Sequence, residues 1–257
     1  MMRQMQTQWR YFLTAVMFFT RVPVHFEQFV ASDLNRATRF FPLVGILVGA
    51  IAALAFWIFQ FVLPSEIAVI LSMVTSILLT GAFHEDGLAD AIDGLGGGWK
   101  REQVLAIMMD SRIGSYGAIG LVMVLLAKFQ ALIHLDVWLI PIVLVAGHAL
   151  SRWCAVVVMA TQHYVKAEGK SKPLATQLSW LELAIATFFG LVPLLFVGVA
   201  GLLALLPVFF VWVWFSLKIK RRIGGYTGDC LGAMQQLTEV TFYIGLLASL
   251  SVLVRFV

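Results

Sequence analysis

The chain alternates long apolar runs with short polar segments, and the run lengths predict its architecture. Residues 40–63 are the first run long enough to cross the hydrocarbon of a bilayer. The turn Pro64-Ser65-Glu66 then sends the chain back through residues 67–83. Runs at 113–133, 137–160 and 240–257 each suffice for one crossing, and 181–217, too long for one, is expected to fold as a helical hairpin near residues 198–201. The run at 9–24 is short and is interrupted by Arg21 and Pro23, which predicts a helix lying in the membrane interface. No small-residue cleavage site follows it, so it is not expected to be a cleaved signal peptide. The expectation is an all-α polytopic membrane protein, a single integral membrane domain over residues 1–257. It has about seven transmembrane helices plus an N-terminal interfacial helix.

Composition agrees, since 61% of the 257 residues are hydrophobic and only 12% are charged. The distribution of the cations then orients the spans. Of 18 lysines and arginines, 15 lie in segments 1–39, 84–112, 161–180 and 218–239, the exceptions being Lys128, Arg152 and Arg255. That asymmetry predicts a cytoplasmic N-terminus and places those four segments on the cytoplasmic side. The net charge of +4 therefore reports topology and gives no reason to expect nucleic acid as a partner. Cys154 and Cys230 have neither disulfide nor zinc spacing.

The chemistry concentrates in one polar segment, residues 84–117. Asp86, Asp90 and Asp93 stand at i, i+4 and i+7, so on a helix their carboxylates share one face. No lysine or arginine is interleaved from Glu85 to Gly98. Unpaired, such carboxylates repel one another. A divalent cation resolves the conflict, and hard oxygen donors suit Mg²⁺, which completes its shell with water and substrate phosphate. The competing reading is a solvated acidic face. The run Gly94-Leu-Gly-Gly-Gly98 is expected to end this helix, either as a plain turn or as a phosphate cradle, and residues 100–109 to form a short amphipathic helix.

Several cations are candidates for holding anions. Arg36 and Arg39, three apart, suit either a phosphate or lipid headgroups. Arg152 sits inside a predicted span, one helical turn after His148, and an intramembrane arginine requires a polar partner. Lys128 is placed either to pair or to snorkel. Lys166, Lys170 and Lys172 only mark a polar loop and are given no role, whereas the run from Lys218 to Arg222 is a positive-inside anchor or a nucleotide-phosphate site.

These residues resemble the cobalamin synthase family, the adenosylcobinamide-GDP ribazoletransferases. The resemblance rests on ordered blocks: Phe19-Thr-Arg-Val-Pro23, Arg39-Phe-Phe-Pro-Leu-Val-Gly45, Thr80-Gly81, His84, Asp86-Gly-Leu-Ala-Asp-Ala-Ile-Asp-Gly94, Asp110-Ser-Arg-Ile-Gly-Ser-Tyr-Gly117, Ser151-Arg152 and Gly224-Gly-Tyr-Thr-Gly-Asp-Cys-Leu-Gly-Ala233. It implies an inner-membrane, Mg²⁺-dependent enzyme that joins adenosylcobinamide-GDP to α-ribazole or its 5′-phosphate and releases GMP, with membrane lipids around it and its site facing the cytoplasm. On that resemblance, Asp86, Asp90, Asp93 and Glu85 are expected to hold the metal. Asp110 or Asp229 is expected to complete the metal site or to serve as the base, His84 to be a general base or a structural histidine, and Arg39, Arg112, Arg152, Gly225 and Thr227 to hold substrate. The chain departs from the family pattern at Glu85, where leucine is common, and at Gln236, where glutamate is common. Two other readings stay open: a CDP-alcohol phosphotransferase, which would release CMP, and a transporter lined by Lys128, His148 and Arg152.

Overall fold

The computed structural model describes residues 2–24, 33–166 and 178–255, so Lys170 and Lys172 lie outside the described residues. The chain is helical nearly throughout. Helix α1 (Met2–Phe19) leads to α2 (Asp33–Ala37), which passes through one turn of 3₁₀ helix into α3 (Phe41–Gln60). Then come α4 (Ser65–Thr80), α5 (Phe83–Gly97), α6 (Arg101–Ile107), α7 (Ser115–Ile133) and α8 (Ile140–Thr161). After the undescribed segment, α9 (Trp180–Leu191) ends in a 3₁₀ turn, and α10 (Val199–Leu203), α11 (Leu205–Ile223) and α12 (Gly228–Arg255) complete the chain. The only non-helical pairing among the described residues is a single bridge between Tyr164 and Tyr226.

Five helical stretches are long and apolar enough to cross a membrane, or up to six if the bent pair α4 and α5 is one span. The seven expected from the run lengths are thus reduced for two reasons. The stretch Trp180–Phe196 is shorter than the others. In addition, α5 leaves α4 at 87°, through Gly81 and Ala82, both with positive φ (66° and 58°). We read α5, with its acidic residues, as lying across the end of the bundle instead of completing a crossing. The break expected near residues 198–201 is present, at Gly198 with φ 78°. The boundary at 240 is not. Helix α12 begins at Gly228, because the polar residues 228–239 find partners inside the bundle and need no loop in water.

Close approach of α3 and α8 forms the centre. A Cβ on Gly45 would stand 2.3 Å from the His148 carbonyl oxygen, and one on Gly49 would stand 2.6 Å from Val145 Cα, so only glycine permits this crossing. Ser72 Oγ donates to the Ala52 carbonyl at 2.7 Å and ties α4 to α3. The outward face of α7 presents Ile119, Val122, Met123 and Leu126, an apolar surface suited to lipid.

Inside the bundle, Lys128 is buried and does not snorkel. Its ammonium meets Glu239 Oε1 at 2.5 Å, the other Glu239 oxygen lies 3.4 Å from His148 Nδ1, and Tyr243 donates to Glu239 at 3.0 Å. Gln235 donates both to Glu239 and to Ser151 Oγ, the latter at 3.0 Å. Helices α7, α8 and α12 are therefore joined by one buried polar network. This accounts for the cost of placing these groups among apolar helices.

The segments expected on one side of the membrane do meet at one end of the bundle. Arg101 Nε donates to the Ile223 carbonyl at 2.9 Å, Arg222 donates to the Gly98 carbonyl, and Lys166 reaches Asp229. Near the N-terminus, Arg21 N–H donates to the Leu79 carbonyl at 2.8 Å.

Candidate active site

The site begins where α5 crosses the start of α12. A Cβ on Gly87 would stand 3.1 Å from Asp229 Cα, so this glycine lets the two helices approach closely. Asp90, one turn after Asp86 on α5, thereby comes within electrostatic reach of Asp229, in the first turn of α12. Thr227 precedes α12 and caps it, its hydroxyl accepting from Cys230 N–H and donating to Asp229 Oδ2, both at 3.2 Å. Lys166 Nζ lies 2.8 Å from the same Asp229 oxygen. Among the described residues, Lys166 therefore pairs with Asp229 and also acts electrostatically on Asp90.

The electrostatic consequence falls on Asp90. Burial, together with the charges of Asp86 and Asp229, pushes its carboxyl up to about 7, against a smaller opposing pull from Lys166. A group of carboxylates that raises its own proton affinity in this way is short of positive charge. Among the described residues no three His, Cys, Asp or Glu side chains converge tightly enough to hold a metal by themselves. Donors of this kind fit Mg²⁺ nonetheless, because that ion takes one or two carboxylates and draws the rest of its shell from water and phosphate.

The other expected ligands are used differently. Asp93 accepts from Gly114 N–H at 2.7 Å and Gly117 N–H at 2.8 Å, capping the start of α7 from a neighbouring helix. Helical spacing aligned it with Asp86 and Asp90, but tertiary contact gives it to α7. Glu85 is buried and accepts from Gln236 Nε2 at 2.9 Å. Glu85 and Gln236 thus tie α5 to α12.

Among the proton-transfer candidates, Asp229 stands where α5 meets the start of α12. Asp110 is held by Arg112, at 2.6 and 3.0 Å, and this pairing pulls its carboxyl down to about 2. Arg112 is exposed and Asp110 half-buried, and none of their hydrogen bonds among the described residues reaches Asp86, Asp90 or Asp229. His84 is buried, its ring parallel to Phe19 at 5.6 Å and edge-on to Phe83 at 5.4 Å. It stands two residues from Asp86, roughly 200° around the helix, and lines an adjoining cavity with Arg152, Phe83, Gly228 and Gly232.

Of the substrate-holding candidates, Arg152 faces that cavity. It donates to the His148 carbonyl at 3.0 Å, and its Nε has no partner among the described residues. Gly225 and Thr227 form the loop that leads into Asp229. Arg39 is otherwise engaged. It is buried against Glu182 at 2.6 Å, donates to the Arg36 carbonyl, and lies over the Tyr11 ring, so it pins α9 to the start of α3. The reading from spacing had not singled out Lys166, Glu239 or Tyr164. Only the distance in sequence between Lys166 and Asp229, 63 residues, concealed the first.

Comparison with known proteins adds the following. A family model described as cobalamin-5-phosphate synthase matches residues 11–247. A Shewanella amazonensis protein named adenosylcobinamide-GDP ribazoletransferase is 48% identical over 244 residues, covering 92% of this chain and 94% of its own. A Ralstonia pickettii protein of the same name is 46% identical over 256 residues, covering 97% of this chain and 100% of its own. No solved structure matches.

Proposed function

The chain belongs to the cobalamin-5-phosphate synthase family, and from that premise we propose that it transfers the adenosylcobinamide-phosphate moiety of adenosylcobinamide-GDP to a hydroxyl of α-ribazole or α-ribazole 5′-phosphate. GMP is the leaving group. In the step, the acceptor oxygen bonds to the phosphorus nearest the cobinamide, the bond from that phosphorus to GMP breaks, and the hydroxyl proton passes to a cleft carboxylate.

The observation that carries the reading is Asp90 within electrostatic reach of both Asp86 and Asp229, with Lys166 paired to Asp229, where α5 meets the start of α12. Asp86, Asp90 and Asp229 would hold Mg²⁺, which when bound neutralises the diphosphate and orients it for in-line attack. The chain's own part is to fix geometry. Gly87 sets the separation of the two helices, and Thr227 orients the first turn of α12. Arg152, with a free Nε in the neighbouring cavity, supplies a guanidinium for a phosphate oxygen. The excess of lysine and arginine in the four segments that meet at this end supports placing the cleft on the cytoplasmic face of the inner membrane.

The test is release of GMP by detergent-purified protein given adenosylcobinamide-GDP, α-ribazole 5′-phosphate and Mg²⁺. Release that is lost on chelation and lost in Asp86→Asn supports the reading. A folded native protein that releases no GMP sinks it.

A further inference from the structure

Building on the metal-assisted reading above, we propose that Lys166 is an exchangeable counter-ion, paired with Asp229 while the cleft is empty and moved onto a diphosphate oxygen of the nucleotide-activated substrate when the cleft is loaded. The chain places Lys166 with unusual care. After α8 ends, Gln162 Nε2 donates to the Ser216 carbonyl at 3.0 Å. The next residues run beside the loop that precedes α12. Tyr226 N–H donates to the His163 carbonyl at 2.9 Å, Val165 N–H donates to the Tyr226 carbonyl at 3.0 Å, and the rings of Tyr164 and Tyr226 meet edge to face at 5.7 Å. Gly225 is required for this pairing, since a Cβ there would stand 2.1 Å from the His163 oxygen.

Those contacts hold the segment without help from the lysine. The ion pair that follows them is partly exposed, 16% for Lys166 and 22% for Asp229, and pairs of that kind contribute little to stability. Its consequence is instead felt in the cleft, where the ammonium also acts on Asp90. An ammonium on a flexible four-carbon stem can change anions with small movement. A divalent cation drawing on Asp229 is repelled by the ammonium already beside that carboxylate, so the two positive charges oppose each other there. Once Asp229 turns to the cation, the substrate's diphosphate offers Lys166 the nearest alternative anions.

The exchange predicts opposite effects of one substitution on two ligands. In Lys166→Met, Asp229 is relieved of its competitor, so Mg²⁺ binding to nucleotide-free protein, read by calorimetry, tightens several-fold. GDP binding in the presence of Mg²⁺ weakens about 10-fold or more, the loss of one charge-assisted hydrogen bond, and the KM for adenosylcobinamide-GDP rises more than kcat falls. Lys166→Arg retains most of the GDP affinity. Parallel weakening of both ligands with a lowered melting temperature would make Lys166 a loop anchor and overturn the proposal, as would no change in either. If the native protein binds no Mg²⁺ while Lys166→Met still loses GDP, the metal reading and the exchange fail together, and only a phosphate contact for Lys166 survives.

Discussion

The interior of the bundle and the cleft at its end both contain acids and cations, yet they are built on opposite terms. In the interior, Glu239 receives Lys128, His148, Tyr243 and Gln235, and the whole group is buried where three helices meet. Where α5 meets α12, Asp90 is crowded by Asp86 and Asp229, and among the described residues the cation beside them is the partly exposed Lys166 on Asp229. In the first arrangement the acid is matched by a cation and by hydrogen-bond donors. In the second the acids raise one another's proton affinity, and the proposed binding of a cation and a diphosphate would draw on that negative charge. An ionisable residue in a membrane protein is therefore informative through its partners more than through its presence.

Substitutions break or sharpen this contrast, the largest effect being expected in the cleft. Asp86→Asn should lower GMP release by about 100-fold or more, the scale of losing electrostatic stabilisation at a transferring phosphoryl group, with melting in detergent unchanged or raised. A fall in melting temperature that accounts for the lost activity would move Asp86 into the structural class. In the interior, Lys128→Met leaves Glu239 buried with a lost partner and should cost about 3–5 kcal/mol, read as a shift in denaturation. Pairing it with Glu239→Gln should recover part of that loss, because the uncompensated charge is then gone.

Asp93 tests the boundary between the two classes. Asp93→Ala removes the acceptor of two backbone N–H groups at the start of α7 and should cost about 1–2 kcal/mol, while the Mg²⁺ affinity of the remaining folded protein stays within about 2-fold of native. A marked loss of Mg²⁺ binding would return Asp93 to the metal, where spacing alone had put it. The smallest effect is expected at Arg112→Ala. Its pair with Asp110 is exposed, so the melting temperature should not move. Any loss of activity there then measures contact with substrate directly.

The helices themselves were largely legible in the chain, because apolar runs of crossing length and the break at Gly198 are local properties. That Asp86 and Asp90 stand one turn apart on a helix was legible for the same reason, one helical turn being a local distance. Asp93 was misread because the same periodicity that aligns three carboxylates cannot show that the start of another helix, Gly114 to Gly117, will arrive to claim one of them. Glu239 was passed over as the end of a polar loop, and the continuous α12 reveals it as the centre of the buried network. Arg39 carried the marks of a phosphate ligand until Glu182, 143 residues away, was found against it.

By itself the sequence determined that this is a helical membrane protein of the cobalamin-5-phosphate synthase family with an acidic segment between its spans, since run length, charge asymmetry and ordered motifs are all read along the chain. Only the tertiary structure decided which carboxylates are free to act. Availability depends on what else is packed within a few ångströms, and Asp229, Lys166 and the backbone of α7 come from parts of the chain that no periodicity connects to α5.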